Sequence, residues 1–278
     1  MVNISAAEVN KLRQMTGAGI MDCKKALQET EGDFEKAIDY LRKKGQKVAE
    51  KRADRDANEG IVLAKTTDDH RYGAVVMLNC ETDFVAKNEE FRQFGKDLID
   101  LAIHHKPKNV DEIFALKLNT TTVAEKLNEM LGKTGEKIKI AHYEFIEAPF
   151  VKAYNHHGNR LATVIGLNKK DAKNIAEIGH ELAMQVAAMN PVAVDKENVS
   201  PKVIEREIEI GKEQARQEGK PEEMLEKIAT GKLGKFFKER TLLNQDFVRD
   251  TKKTIRQYLA ENDKELTVTG FKRLMLGE

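Results

Sequence analysis

A chain of 278 residues, 40% apolar and 33% charged, is long enough for two or three compact units and apolar enough to give each a core. Lys and Arg number 47 against 46 Asp and Glu, so the formal net charge is only +1. That near balance lacks the one-sided positive field of a protein working on nucleic-acid backbone, and direct nucleic-acid binding is disfavoured. The two cysteines, Cys23 and Cys80, stand in helical and strand contexts without a spaced framework, which fits a reducing compartment and gives no cysteine metal cluster. The start MVNISAAEVNKL is polar and amphipathic, with no apolar targeting core and no spanning helix after it; a cytoplasmic location and no membrane partner are expected.

The first fifty residues read as three short helices. Ser5 to Glu8 is a capping box opening a helix with Val9, Leu12 and Met15 on one face, and Gly17 and Gly19 break it. A second helix over 21–29 turns Ala26 and Leu27 inward. After Gly32, the cap Asp33 begins a third, with Phe34, Ala37, Ile38 and Leu41 at core spacing. The stretch 43–58 has almost no large apolar residue and reads as a solvated helix tail entering a linker, with a boundary near residue 55.

Two strands, 61–66 and 72–80, flank the turn-rich 67–71 as a hairpin. The second of them runs through 79–87 (NCETDFVAK) into a helix over 88–105 carrying Phe91, Phe94, Leu98, Leu101 and Ala102, and it leaves Asp83 and Phe84 at the junction. A rigid tip there offers a wedge and a charge together, which a flexible loop could present only by losing ordering entropy on binding. The competing reading makes Asp83 an ordinary N-cap and Phe84 a core residue. A helix over 122–131 follows, then a strand over 137–147 and a second hairpin of 151–155, a turn at 156–159, and 160–167. The helix 171–189 is stopped by Asn190-Pro191. The class expected is α+β.

Ser200-Pro201 starts a helix with only a narrow apolar seam of Val203, Ile204, Ile208, Ile210 and Ala215 before Gly219-Lys220-Pro221. A second helix carries Met224, Leu225, Ile228, Leu233 and Phe236. So short a turn makes the two antiparallel, an arm of roughly 28 Å for about nineteen residues; two further core helices are the alternative. A helix over 246–259 and a strand over 266–275 close the chain.

The run 16–27 (TGAGIMDCKKAL) and the run 79–87 resemble the bacterial translation elongation factor Ts family, and the likeness continues through the His-Gly turn, the arm and Val268-Thr269-Gly270-Phe271. It implies an N-terminal three-helix ubiquitin-associated-like domain, an α+β core of two related sheet/helix subdomains, and a protruding antiparallel helical hairpin, or coiled coil. The divisions are 1–55, 56–140, 141–199, 200–240 and 241–278, the last returning to the second subdomain.

The function implied is guanine nucleotide exchange on elongation factor Tu, in its GDP-bound and nucleotide-free forms, so that GTP rebinds during protein biosynthesis. That is no enzyme of covalent chemistry: catalytic residues, cofactor and resident metal are all none. The resemblance carries Thr82, Asp83, Phe84 and Val85 onto the tip that pushes beside the GTPase's Mg²⁺ site. It carries Arg13, Ile20, Met21 and Lys24 onto a docking surface near the guanine side. A turn histidine is also implied. Counting forward from Tyr154 selects His156, counting back from Arg160 selects His157, and both are carried.

Three points depart from the family pattern. Gly135-Glu136-Lys137-Ile138 stands where the family has Gly-Glu-Asn-Ile, the chain stops at Leu276-Gly277-Glu278 without a further helix, and self-association into a homodimer stays open. Rival readings are weaker on the residues. No Cys-His signature surrounds Cys23 or Cys80, and the pairs His104-His105 and His156-His157 lack ligand spacing. A ubiquitin-associated-like protein-binding module without exchange activity is the serious rival.

Overall fold

In the amino-terminal third the chain forms α1 (Ala6–Thr16), α2 (Ile20–Glu29), α3 (Phe34–Lys51), β1 (Glu59–Thr66), β2 (Tyr72–Cys80), α4 (Asp83–Lys87) and α5 (Glu89–His105). Then come α6 (Val110–Ala115), β3 (Lys117–Leu118), β4 (Thr121–Thr122), α7 (Val123–Thr134), β5 (Lys139–Glu147), β6 (Phe150–Asn155), β7 (Leu161–Leu167) and α8 (Ile175–Met189). The last stretch holds α9 (Pro201–Gln217), α10 (Glu222–Arg240), β8 (Asp246–Phe247), β9 (Asp250–Thr254), α11 (Ile255–Asn262) and β10 (Val268–Met275). The computed structural model describes residues 4–51 and 55–278, and side chains outside 46–51. The mixture of helices with small sheets makes an α+β chain, as expected. It divides into two units, one of Met1–Leu63, Val76–Tyr143 and Met275–Glu278, the other of Ala64–Val75 and Glu144–Leu274.

In the first unit, α1 to α3 close on a core of Val9, Leu12, Cys23, Ala26, Leu27 and Ala37, with Phe34, Ile38 and Leu41 packed against it. The capping box is formed: Glu8 N–H donates to Ser5 Oγ at 3.2 Å and Ser5 N–H to Glu8 Oε2 at 2.8 Å. Met15 departs from its expected place, being 57% exposed at the end of α1 while Val9 and Leu12 alone of that face are buried. The tail of α3 is helical, as expected, but it is not simply solvated. It continues as helix to Lys51 and packs on α7, because Gly45 has no side chain: a Cβ there would stand 3.1 Å from the Asn128 carbonyl oxygen. Strand β2 is buried at all nine positions, which is why it reads as a continuous apolar run, and β1-β2-β5 is the strand order of its sheet. Helix α5 buries Phe91, Phe94, Leu98, Ile99 and Ala102.

In the second unit, β6 and β7 pair antiparallel from Phe150↔Leu167 to Asn155↔Ala162, and the sheet order is β10-β7-β6. Helix α8 lies on this sheet through Ile178, Leu182 and Val186, in a core with Phe150, Ile165, Leu167, Phe247, Ile255 and Leu259. The expected helix over 246–259 is instead the β8–β9 hairpin followed by α11. Thr254 fixes that start, since it accepts from Gln257 N–H while its own N–H donates to Gln257 Oε1 at 2.8 Å, and a helix so capped cannot begin earlier.

Helices α9 and α10 form an arm whose buried residues are only Gly211, Ala215, Leu225 and Ala229. The backbones nearly touch, for a Cβ on Gly211 would lie 3.1 Å from Ala229 Cα. Ile210, expected in the seam, is exposed instead, as is Met224 of the second helix. Lys212 pairs with Glu226 at 2.6 Å and Lys232 with Glu218 at 3.1 Å, linking the two helices along their exposed flanks.

Candidate functional site

Strand β2 delivers the chain to Thr82, and Thr82, not Asp83, is the N-cap of the single-turn helix α4: its Oγ1 accepts from Val85 N–H at 3.4 Å. The same residue is anchored from behind. Its N–H donates to Glu136 Oε2 at 3.0 Å and its hydroxyl to Glu136 Oε1 at 2.7 Å, while Lys137 N–H donates to Glu81 Oε1 at 2.7 Å. At the far end Asn88 terminates α4 and also caps α5, accepting from Glu90 N–H at 2.8 Å.

On this turn Ala86 points inward, Val85 is half-buried, and Phe84 is 82% exposed. The reading of Phe84 as a core residue is therefore overturned. Leaving a phenylalanine in water forgoes roughly 1.5–3 kcal/mol of burial, a cost the fold of this chain does not recover. Asp83 pairs with Lys87 one turn on, Oδ2 to Nζ 2.6 Å, and that hydrogen bond holds its carboxyl below the ordinary carboxylate range. Burial, with Glu136 and Glu59 adding to it, pushes the Cys80 thiol up to about 12, which disfavours the thiolate form.

A second apolar patch lies around the turn between α1 and α2. Ile20 and Met21, in the first turn of α2, are 52% and 72% exposed, Lys24 is exposed one turn further, and Arg13 is exposed on the last turn of α1. Met15, expected on the core face, is also exposed at the end of α1, and it lines a groove with Leu41 of α3 and Leu131 of α7. Gly17 takes the left-handed conformation, φ +66°, and donates its N–H to Arg13 O at 2.7 Å, which ends α1 and turns the chain towards α2.

The turn histidines belong to the second unit. His156 is engaged, its Nδ1 2.8 Å from the Tyr154 hydroxyl and its N–H donating to Leu161 O at 2.9 Å. His157 sits exposed at the tip, where Gly158 and Asn159 turn the chain. Asn155 pins the end of β6 by exchanging hydrogen bonds with Ala64, 2.7 and 2.8 Å.

Residues 81–278, which begin at the tip, match the family model described as Elongation factor TS. The likeness to individual proteins spans the chain. The elongation factor Ts of Amoebophilus asiaticus is 48% identical over 274 residues, 99% of each chain. Those of Flavobacterium psychrophilum and Cytophaga hutchinsonii are 49% and 51% identical over 277 residues, covering at least 99% of this chain and all of theirs. The chain belongs to the elongation factor Ts family. Membership places it in translation elongation.

In this chain, Glu136 is the residue that sequence reasoning did not find. The Gly-Glu-Lys-Ile run was noticed only as a departure at Lys137, whose Nζ donates to Arg55 O at 3.0 Å. A bond across 54 residues has no local signal in the chain. Among the described residues no group of three His, Cys, Asp or Glu is placed to hold a metal ion, and no helix is long and apolar enough to cross a membrane.

Proposed function

We propose that this chain is a guanine nucleotide exchange factor for elongation factor Tu, with Asp83 and Phe84 entering beside the Mg²⁺ site of the GTPase and loosening the ion. The observation that carries the reading is the 82% exposure of Phe84 on a turn anchored through Thr82. An aromatic kept out of its own core on a braced support is preorganised to be buried elsewhere. Mg²⁺ demands near-octahedral oxygen ligands, so a small displacement of the partner's ligands removes much of the neutralisation of the phosphates. GDP then leaves faster.

The wedge is too small to act alone. Burying one Phe stabilises a complex by roughly 1.5–3 kcal/mol, whereas a thousandfold loss of nucleotide affinity corresponds to about 4 kcal/mol. The exposed patch of Arg13, Ile20, Met21 and Lys24 supplies further docking area, and the turn at His156 and His157 a further contact. Of these two, His157 is the better candidate, since the ring of His156 is already engaged by Tyr154. Linkage fixes the sign: a factor that weakens GDP binding is itself bound more weakly by the GDP-loaded GTPase, by the same ratio.

Release of a fluorescent GDP from elongation factor Tu, followed with and without this chain, tests the proposal. Acceleration supports it. Binding to elongation factor Tu with unchanged release would favour the rival, a docking module built on the three-helix unit.

A further inference from the structure

Helix α4 is too short to orient itself, for an isolated turn of five residues is not stable and only Ala86 of this one is buried. Its orientation comes from the end of α7. Within four residues that segment reaches both flanks of the tip. Glu136 takes both Thr82 donors, 3.0 and 2.7 Å, on the near side. Lys133 donates to Glu90 Oε1 at 2.8 Å on the far side, where Asn88 has already joined α4 to α5. Lys133 also pairs with Glu129 at 2.9 Å and is mostly buried by these partners, its side chain 20% exposed. Lys126 reinforces both carboxylates, at 3.3 and 3.1 Å.

The stem of Lys133 does something more. It covers the turn between α1 and α2 so closely that a Cβ on Gly17 would stand 2.5 Å from Lys133 Cε. One side chain thus touches the turn that carries the Arg13 and Met21 patch and, through its ammonium, the helix that follows Phe84.

We infer that Glu136 is a positioning residue for Phe84, and that Lys133 fixes the tip relative to the α1–α2 turn. This deepens the exchange reading and rests on it. Neither residue need meet the GTPase. Glu136 presents two acceptors to an N–H and an O–H at once, which locks the cap in one geometry, and misplacing a wedge by about 1 Å can reduce a rate up to ~100-fold. An anchor of this kind governs how fast bound GDP leaves more than how tightly the complex forms, because the larger docking patch remains.

The test is GDP release from elongation factor Tu measured against the concentration of the full chain, for wild type and the variants Glu136→Ala, Glu136→Gln and Lys133→Met. Glu136→Ala is expected to lower the limiting rate about tenfold while the half-saturating concentration changes less than about threefold. Glu136→Gln keeps one carbonyl acceptor and falls between. Lys133→Met keeps the stem over Gly17 but loses the ion pairs, and its limiting rate falls with wild-type melting. Hydrogen exchange gives an arm independent of the GTPase: Glu136→Ala should speed exchange at the Thr82 and Val85 amides about tenfold or more. Wild type that fails to accelerate release overturns the exchange reading. Wild type that accelerates it, with Glu136→Ala unchanged in limiting rate or in Thr82 amide protection, overturns this inference alone.

Discussion

Asp83 and Lys87 face each other across the one turn that presents Phe84, so the acidic half of the tip carries its own counter-ion. Both ends of the pair are at least half exposed, and such pairs stabilise little. Its effect is on charge. Lys87→Met should let the Asp83 carboxyl return towards the ordinary carboxylate range in an NMR titration. For a carboxylate held low in the folded protein, the stabilising contribution is present above the unfolded value and lost as pH falls through the folded one. Any difference in melting between wild type and Lys87→Met should therefore shrink on acidification; a difference that grows would contradict the pairing.

Phe84→Ala should leave stability within about 0.5 kcal/mol of wild type, because the ring has no core to vacate. Phe91, three residues beyond the Asn88 cap in the first turn of α5, is fully buried, and Phe91→Ala should cost about 3–5 kcal/mol. Urea unfolding of both variants checks the contrast. Equal losses would mean that the ring of Phe84 is packed in solution.

How much of this was legible in the chain depended on how far apart the interacting residues are. Ser5 and Glu8 announced their capping box because both partners lie within one turn. The buried strand β2 was legible for a similar reason, as an unbroken apolar run. The start of α11 was not, since 246–259 has helical composition and only the Thr254 and Gln257 cap, once formed, excludes the earlier residues. The site divided in the same way. Asp83 and Phe84 stood out at a strand-to-helix junction, but that Thr82 is the cap and that Phe84 stays exposed were not legible, since Thr82 is held by Glu136, 54 positions away in sequence. Met15 was misplaced because helical spacing continues its face past the point where the core ends.

Glu181 of α8 makes a prediction away from the tip. It is nearly buried, takes a hydrogen bond from Arg249 at 2.5 Å and another from the Tyr258 hydroxyl. Burial first, and then Glu181, push the Tyr258 phenol well above its ordinary range. The folded state therefore holds that proton more tightly than the unfolded chain, whose tyrosine titrates near about 10. Stability should fall as pH rises above that value, and Tyr258→Phe should remove this part of the fall while costing about 1–2 kcal/mol near neutrality. Urea midpoints at pH 8 and above about pH 10 would show it; an unchanged alkaline slope in Tyr258→Phe would contradict it.

The arm gives a fourth. Gly211→Val inserts a side chain where Ala229 Cα would lie 3.1 Å from its Cβ, and overpacking of this kind costs about 1–3 kcal/mol. The α9–α10 pair should open at a lower temperature, followed by amide exchange at Ala215 and Ala229, while the exchange of amides in β2 stays as it was. Unchanged arm protection would mean that the helices already stand further apart in solution.

The central claim is that the exposed tip works through the partner's divalent ion. Its most direct measurement is fluorescent-GDP release from elongation factor Tu, driven by wild type and by Phe84→Ala, each with Mg²⁺ present and with Mg²⁺ chelated. With Mg²⁺ present, wild type should release GDP well ahead of Phe84→Ala, and chelation should remove most of that gap. A gap of the same size with and without the ion would contradict the account.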